Sequence, residues 1–114
     1  MRGLNKVIIS GNVGAQISFD NTASGTPACS FFLASDRYSS GGAVVSAWVK
    51  INVYGDGLVR ICRSRLEKGG YVLVEGELMN RDGQLGELVE VRAREVIFLP
   101  RAQEQEDKED SYGR

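Results

Sequence analysis

Histidine is absent from this 114-residue chain, which carries only two cysteines, two prolines and one tryptophan. The missing histidine removes the commonest general base and the commonest metal ligand together. Cys29 and Cys62, far apart in the chain and without histidine partners, make no zinc set. The chain therefore reads as a non-enzyme with no catalytic residues, no metal and no cofactor. Phe31, Phe32 and Leu33 lie close to Cys29, and Ile61 and Leu66 close to Cys62, which suits small buried thiols. A disulfide stays open, although nothing in the spacing asks for one. Long apolar runs are lacking too. Nothing approaches the ~20 residues of a membrane helix, and no signal-peptide pattern opens the chain, so the expectation is cytosolic residence away from membranes.

An excess of charge of either sign is also missing, since the formal net charge is −1. Its distribution is uneven. Residues 101–114 hold five acids and three bases; removing these from totals of 15 and 14 leaves ten acids and eleven bases for residues 1–100. The body is near neutral, so any basic surface must be local. Beyond Pro100 the segment R-A-Q-E-Q-E-D-K-E-D-S-Y-G-R offers almost nothing apolar to bury and reads as a disordered acidic tail, 101–114, after one domain, 1–100. That domain, in a chain 42% apolar and 25% charged, is long enough for a modest core.

The apolar pattern alternates along most of the body. Residues 4–10 are β-branched and apolar until Gly11 and Gly14, which predicts a strand ending in a bend. Turn chemistry fills 20–27, a second strand covers 28–35, and Tyr38 leads into the loop S-S-G-G. S-A-W-V-K-I-N-V-Y-G (46–55) is a third strand. The period then changes: Leu58, Ile61, Cys62, Arg65 and Leu66 make a helical stripe, with Asp56 as N-cap and Gly69-Gly70 as the stop. Arg60 and Arg63, off the stripe, read as a solvated face. A fourth strand over 71–79 contains Gly76, a mark of a bulge or a barrel bend. R-D-G-Q (81–84) is a hairpin turn. In the last strand, 87–99, Val89, Val91 and Ala93 point in while Glu90, Arg92 and Arg94 point out, and a parity slip near Glu95 predicts a bulge. The result is an all-β domain with one short helix, and the helix between strands three and four gives the order of a five-stranded OB-fold barrel.

The third strand poses the functional question. Ala47, Val49, Ile51 and Val53 form an apolar row; Ser46, Trp48, Lys50, Asn52 and Tyr54 form the other, which carries the only tryptophan. Aromatics facing away from the core suit single-stranded nucleic acid, because each ring offers a base a sequence-tolerant stacking partner worth ~1–3 kcal/mol. Lys50 and Asn52 between the rings suit phosphate or base edges. Trp48 and Tyr54 are about 20 Å apart along an extended strand, so they would serve different nucleotides. Tyr38 lies in the loop before, and Arg2 and Lys6 add charge if the first strand pairs beside the third. An exposed-side tryptophan is also common at subunit interfaces; the spacing favours nucleic acid and leaves both open.

The segments M-R-G-L-N-K-V-I-I-S-G-N-V-G, S-G-T-P-A-C-S-F-F-L-A-S, A-W-V-K-I-N-V-Y-G and L-E-K-G-G-Y-V-L-V-E-G-E-L resemble, in order and spacing across 1–99, the bacterial-type single-stranded DNA-binding proteins. The resemblance implies an OB-fold, a homotetramer, and the coating of single-stranded DNA in replication, recombination and repair on the nucleoid, without catalysis or cofactor. It implies base stacking by Trp48, Tyr54 and Tyr38, and DNA contact by Arg2, Lys6, Lys50 and Lys68. Arg81, in the hairpin, is a further basic candidate. Three departures stand out. Val49 replaces a histidine usual at the family's subunit interface. Gly83 stands where the hairpin often has an aromatic. The tail ends S-Y-G-R and not in the family's Pro-Phe tip, so nothing supports recruitment of replication and repair proteins through it. Two alternatives remain: a PriB-type primosomal replication protein, which would be a dimer, and an OB-fold protein–protein adaptor using the Trp48 face.

Overall fold

The computed structural model describes residues 2–81 and 89–100. Past Arg81 the expected hairpin turn lies outside the described residues, as does the expected tail. The elements follow the alternation: β1 (Val7–Asn21), β2 (Pro27–Tyr38), β3 (Val44–Tyr54), α1 (Asp56–Arg65), β4 (Tyr71–Asn80) and β5 (Val89–Leu99). The strands close into a barrel in the order β1-β2-β3-β5-β4. All neighbours are antiparallel except β3 and β5, which run parallel and meet at Ile51–Val91 and Asn52–Arg92. This is the OB-fold barrel that the element order predicts.

The inward rows fill the barrel with Val13, Phe31, Leu33, Ile51, Val53, Val72, Val74 and Val91. Each such side chain contributes roughly 1.5–3 kcal/mol by leaving water. Val59 and Cys62 of α1 join that core, while α1 packs on β2, β3 and β5. Both cysteines are buried and free, not bridged. Hydrogen bonding to Cys62, together with burial, pushes the Cys29 thiol up from its ordinary value, so it stays protonated.

Several boundaries differ from the sequence reading. β1 does not end at its glycines: it runs on to Asn21, pairing first with β4 and then with β2, with a register shift between Val13 and Ile17. Gly11 lets the strand bend across β2, because a Cβ there would collide with the Ala34 carbonyl. Gly55, at φ +102°, and not Asp56, occupies the helix N-cap. Asp56 lies in the first turn and pairs with Arg60 at 2.6 Å. The helix stops at Arg65, and its stripe is rotated: Val59 is buried while Ile61 and Arg65 are exposed. The guanidinium of Arg63 lies 4.4 Å over the Phe19 ring, so Arg63 is not simply solvated. Gly76 and the parity slip have one cause: Glu75 pairs with Glu95 but Gly76 with Ala93, which leaves Arg94 as the extra residue of a bulge. A side chain at Gly76 would strike the Arg92 carbonyl. Val89, expected inward, is exposed at the strand's start.

Candidate nucleic-acid interface

The outward row of β3 changes character along its length. Among the described residues β5 pairs with β3 at 51–52 alone, so residues 44–48 are exposed while Val49 and Lys50 are half-buried. Trp48, opposite Ala34, is 62% exposed there. Where β5 joins at 51–52, the same row sinks. Asn52 is only 8% exposed, and its Nδ2 donates to Glu90 Oε1 at 2.8 Å. The Asn52 amide nitrogen is thus engaged with Glu90, while Asn52 also lines a small surface hollow with Ser30 and Tyr54. Glu90 does point outward, as its parity requires, but it is covered.

That carboxylate organises the middle of the face. Its Oε2 lies 4.0 Å from Lys50 Nζ and 3.7 Å from Arg81 Nε. One nearly buried anion thus sits beside two cations, and the cluster carries net positive charge. The structure brings Lys50 and Arg81, two separate candidates of the sequence reading, to one acid that the reading left out of the site. Beyond them, Tyr54 pairs with Ala28 of β2, and the Arg92 guanidinium lies 5.1 Å over its ring. A cation on an aromatic face is an electrostatic attraction with the ring's quadrupole.

The remaining candidates are spread more widely. Tyr38 is not in a loop; it ends β2 opposite Val44, on the same face as Trp48, and is 77% exposed. Arg2 and Lys6 precede β1, which pairs with β2 and β4 and not with β3, so the condition for placing them beside the Trp48 row is not met. Lys6 instead lies 3.9 Å from Glu75 of β4. Lys68 is exposed in the loop after α1. That loop is stitched to β1 by Gly69 N–H to Val13 O at 2.8 Å and Val13 N–H to Gly70 O at 2.9 Å.

Sequence reasoning missed three residues on this face: Glu90 as its hub, Arg92 over Tyr54, and Phe32. The first two depend on the parallel pairing of β3 with β5. The third was readable, because Cys29, Phe31 and Leu33 are buried and alternation turns Phe32 outward.

A small closed barrel with aromatic rings and tethered cations along one outer face defines an OB-fold protein built for an extended, stackable polymer. Residues 4–99 match the family model described as the Single-strand binding protein family. The chain belongs to that family. It is 34% identical to "Single-stranded DNA-binding protein 2" of Chlorobaculum tepidum, over 98% of this chain and 82% of the relative. It is 31% identical to a "Single-stranded DNA-binding protein" of Rhizobium meliloti, over 71% of this chain and 49% of that protein. The chain thus spans most of the first relative and about half of the second. Among solved structures, "Plasmodium falciparum SSB complex with ssDNA" matches with a TM-score of 0.73 at 24% identity, covering 88% of this chain and 98% of that one, a likeness of fold.

Proposed function

We propose that this chain binds and coats single-stranded DNA with little sequence preference, as a homotetramer, in replication, recombination and repair, and that it is a binding protein and not an enzyme. It works in the cytoplasm, on the nucleoid. The observation that carries the reading is the row of outward rings on β2 and β3, with Tyr38 and Trp48 the most exposed, Lys50 among them and Arg81 beside them. Family membership and the relatives' names support it. Bases stack on Trp48, Tyr54 and Tyr38, and ring faces do not read base edges, so preference is weak. Lys50, Arg81, Lys68, Arg2 and Lys6 meet phosphates. Because the body is near neutral, stacking contributes more than charge, and several copies per oligomer multiply weak contacts through effective concentration.

Titration with oligo(dT) of increasing length, followed by the fluorescence of Trp48, tests the reading. Binding quenches the single tryptophan, and the saturation point reports site size; light scattering on the same sample separates a tetramer from a dimer. Fluorescence unchanged at any length would turn the Trp48 face into a protein interface instead.

A further inference from the structure

We propose that Phe32 and Trp48 form a two-ring notch, floored by Gly14, that receives one unstacked nucleobase of a single strand. The proposal rests on the single-strand reading above and adds to it a ring and a pocket. Phe32 faces outward, 37% exposed. It pairs with Lys50, one step along the face from the Ala34–Trp48 pair, so it is the diagonal neighbour of Trp48. Diagonal neighbours on one sheet face are roughly 7–8 Å apart, within reach of large rings. Both converge on one spot of β1: a methyl group at Gly14 would lie 3.2 Å from Cζ3 of Trp48 and 3.7 Å from Cβ of Phe32. Glycine there leaves the opening in which the tryptophan ring sits.

The opening beside these rings is a hollow of about 390 Å³ lined by Gly14, Ala15, Gln16, Phe32 and Trp48. That is within the range of small-ligand pockets, roughly 300–1,000 Å³. Its lining is mostly apolar, and Gln16 is the one lining residue with a polar side chain. A nucleobase has the matching chemistry, with apolar faces for the rings and a polar edge for one amide.

Charge decides between a base and an apolar protein side chain. On the other side of the same two rings a second hollow is lined by Lys50, Arg81 and Glu90. An apolar hollow whose two rings also wall a hollow lined by two cations fits a base with a neighbouring phosphate over Lys50 and Arg81. A leucine or phenylalanine from a partner protein gains nothing from those cations.

Binding of the full chain to oligo(dT), and to an abasic strand of equal length, tests the proposal. Phe32→Ala should weaken oligo(dT) binding about 5- to 150-fold, the factor expected for one stacked base. Phe32→Leu, which keeps apolar cover without an aromatic face, should stay weakened, and Phe32→Tyr should bind like wild type. On the abasic strand, wild type and Phe32→Ala should bind alike. The notch is overturned if Phe32→Ala binds oligo(dT) normally, if Phe32→Leu restores binding, or if the loss is as large on the abasic strand. Should Phe32→Ala fail to fold, the leucine and tyrosine variants carry the comparison. Wild-type protein that does not bind oligo(dT) would instead overturn the single-strand reading on which the notch stands.

Discussion

Residues 44–50 and 51–54 are consecutive parts of one strand, β3, with the same alternation of apolar and mixed positions, yet they meet opposite environments. Among the described residues the first part pairs with β2 alone, and Val44, Val45 and Trp48 remain exposed. The second is flanked by β5 as well, so Ile51 and Val53 vanish into the barrel and even the outward Asn52 is covered. The difference is one of neighbours and not of side chains. One strand therefore serves as a barrel wall at one end and as an open platform at the other, and the Lys50–Glu90–Arg81 cluster marks the boundary.

Substitutions on the two sides of that boundary should fail in different ways. The largest effect belongs to the embedded part. Ile51→Ala removes a fully buried side chain and should destabilise the fold by ~2–5 kcal/mol in denaturant unfolding. At the boundary, Asn52→Ala leaves the covered Glu90 carboxylate short of a hydrogen bond, so it should lower stability by about 1–3 kcal/mol; no change would show that the cluster does not support the barrel. Glu90→Gln tests the tether from the electrostatic side. With the anion gone, neither Lys50 nor Arg81 is held by Glu90, and the pull of both on phosphates rises. The dependence of log K on log salt should then steepen by roughly 0.7 for each phosphate gained, whereas an unaltered slope would mean that neither cation is restrained. Far from β3, Arg60→Ala breaks an exposed pair within α1 and should cost at most about 0.5 kcal/mol, a background against which the others are read.

How much of this was legible in the sequence depends on how far apart the partners lie. Alternation located β2 to β5 and most of their core rows, while β1 was read only as far as its glycines, and the parity slip at Glu95 announced the bulge opposite Gly76. The helix was visible by period, but its buried edge was displaced from Ile61 to Val59 because the barrel end, and not the stripe, sets which face is covered. The burial of Asn52 could not be read. It results from the parallel contact of β3 with β5, between segments some 40 residues apart that no local pattern links. Phe32 is the opposite case. Its outward position follows from its neighbours, but an aromatic inside an apolar run reads as core unless each residue's side is tracked.

The central claim is that the platform holds DNA by its rings more than by its charges. Measuring oligo(dT) affinity across a salt series for wild type, Trp48→Ala and Lys50→Ala tests it most directly. The account predicts a shallow wild-type slope and a loss of about 1–3 kcal/mol for Trp48→Ala at every salt concentration. It predicts a smaller loss for Lys50→Ala, together with a slope reduced by about 0.7. A steep wild-type slope, with Lys50→Ala the more damaging change, would contradict it.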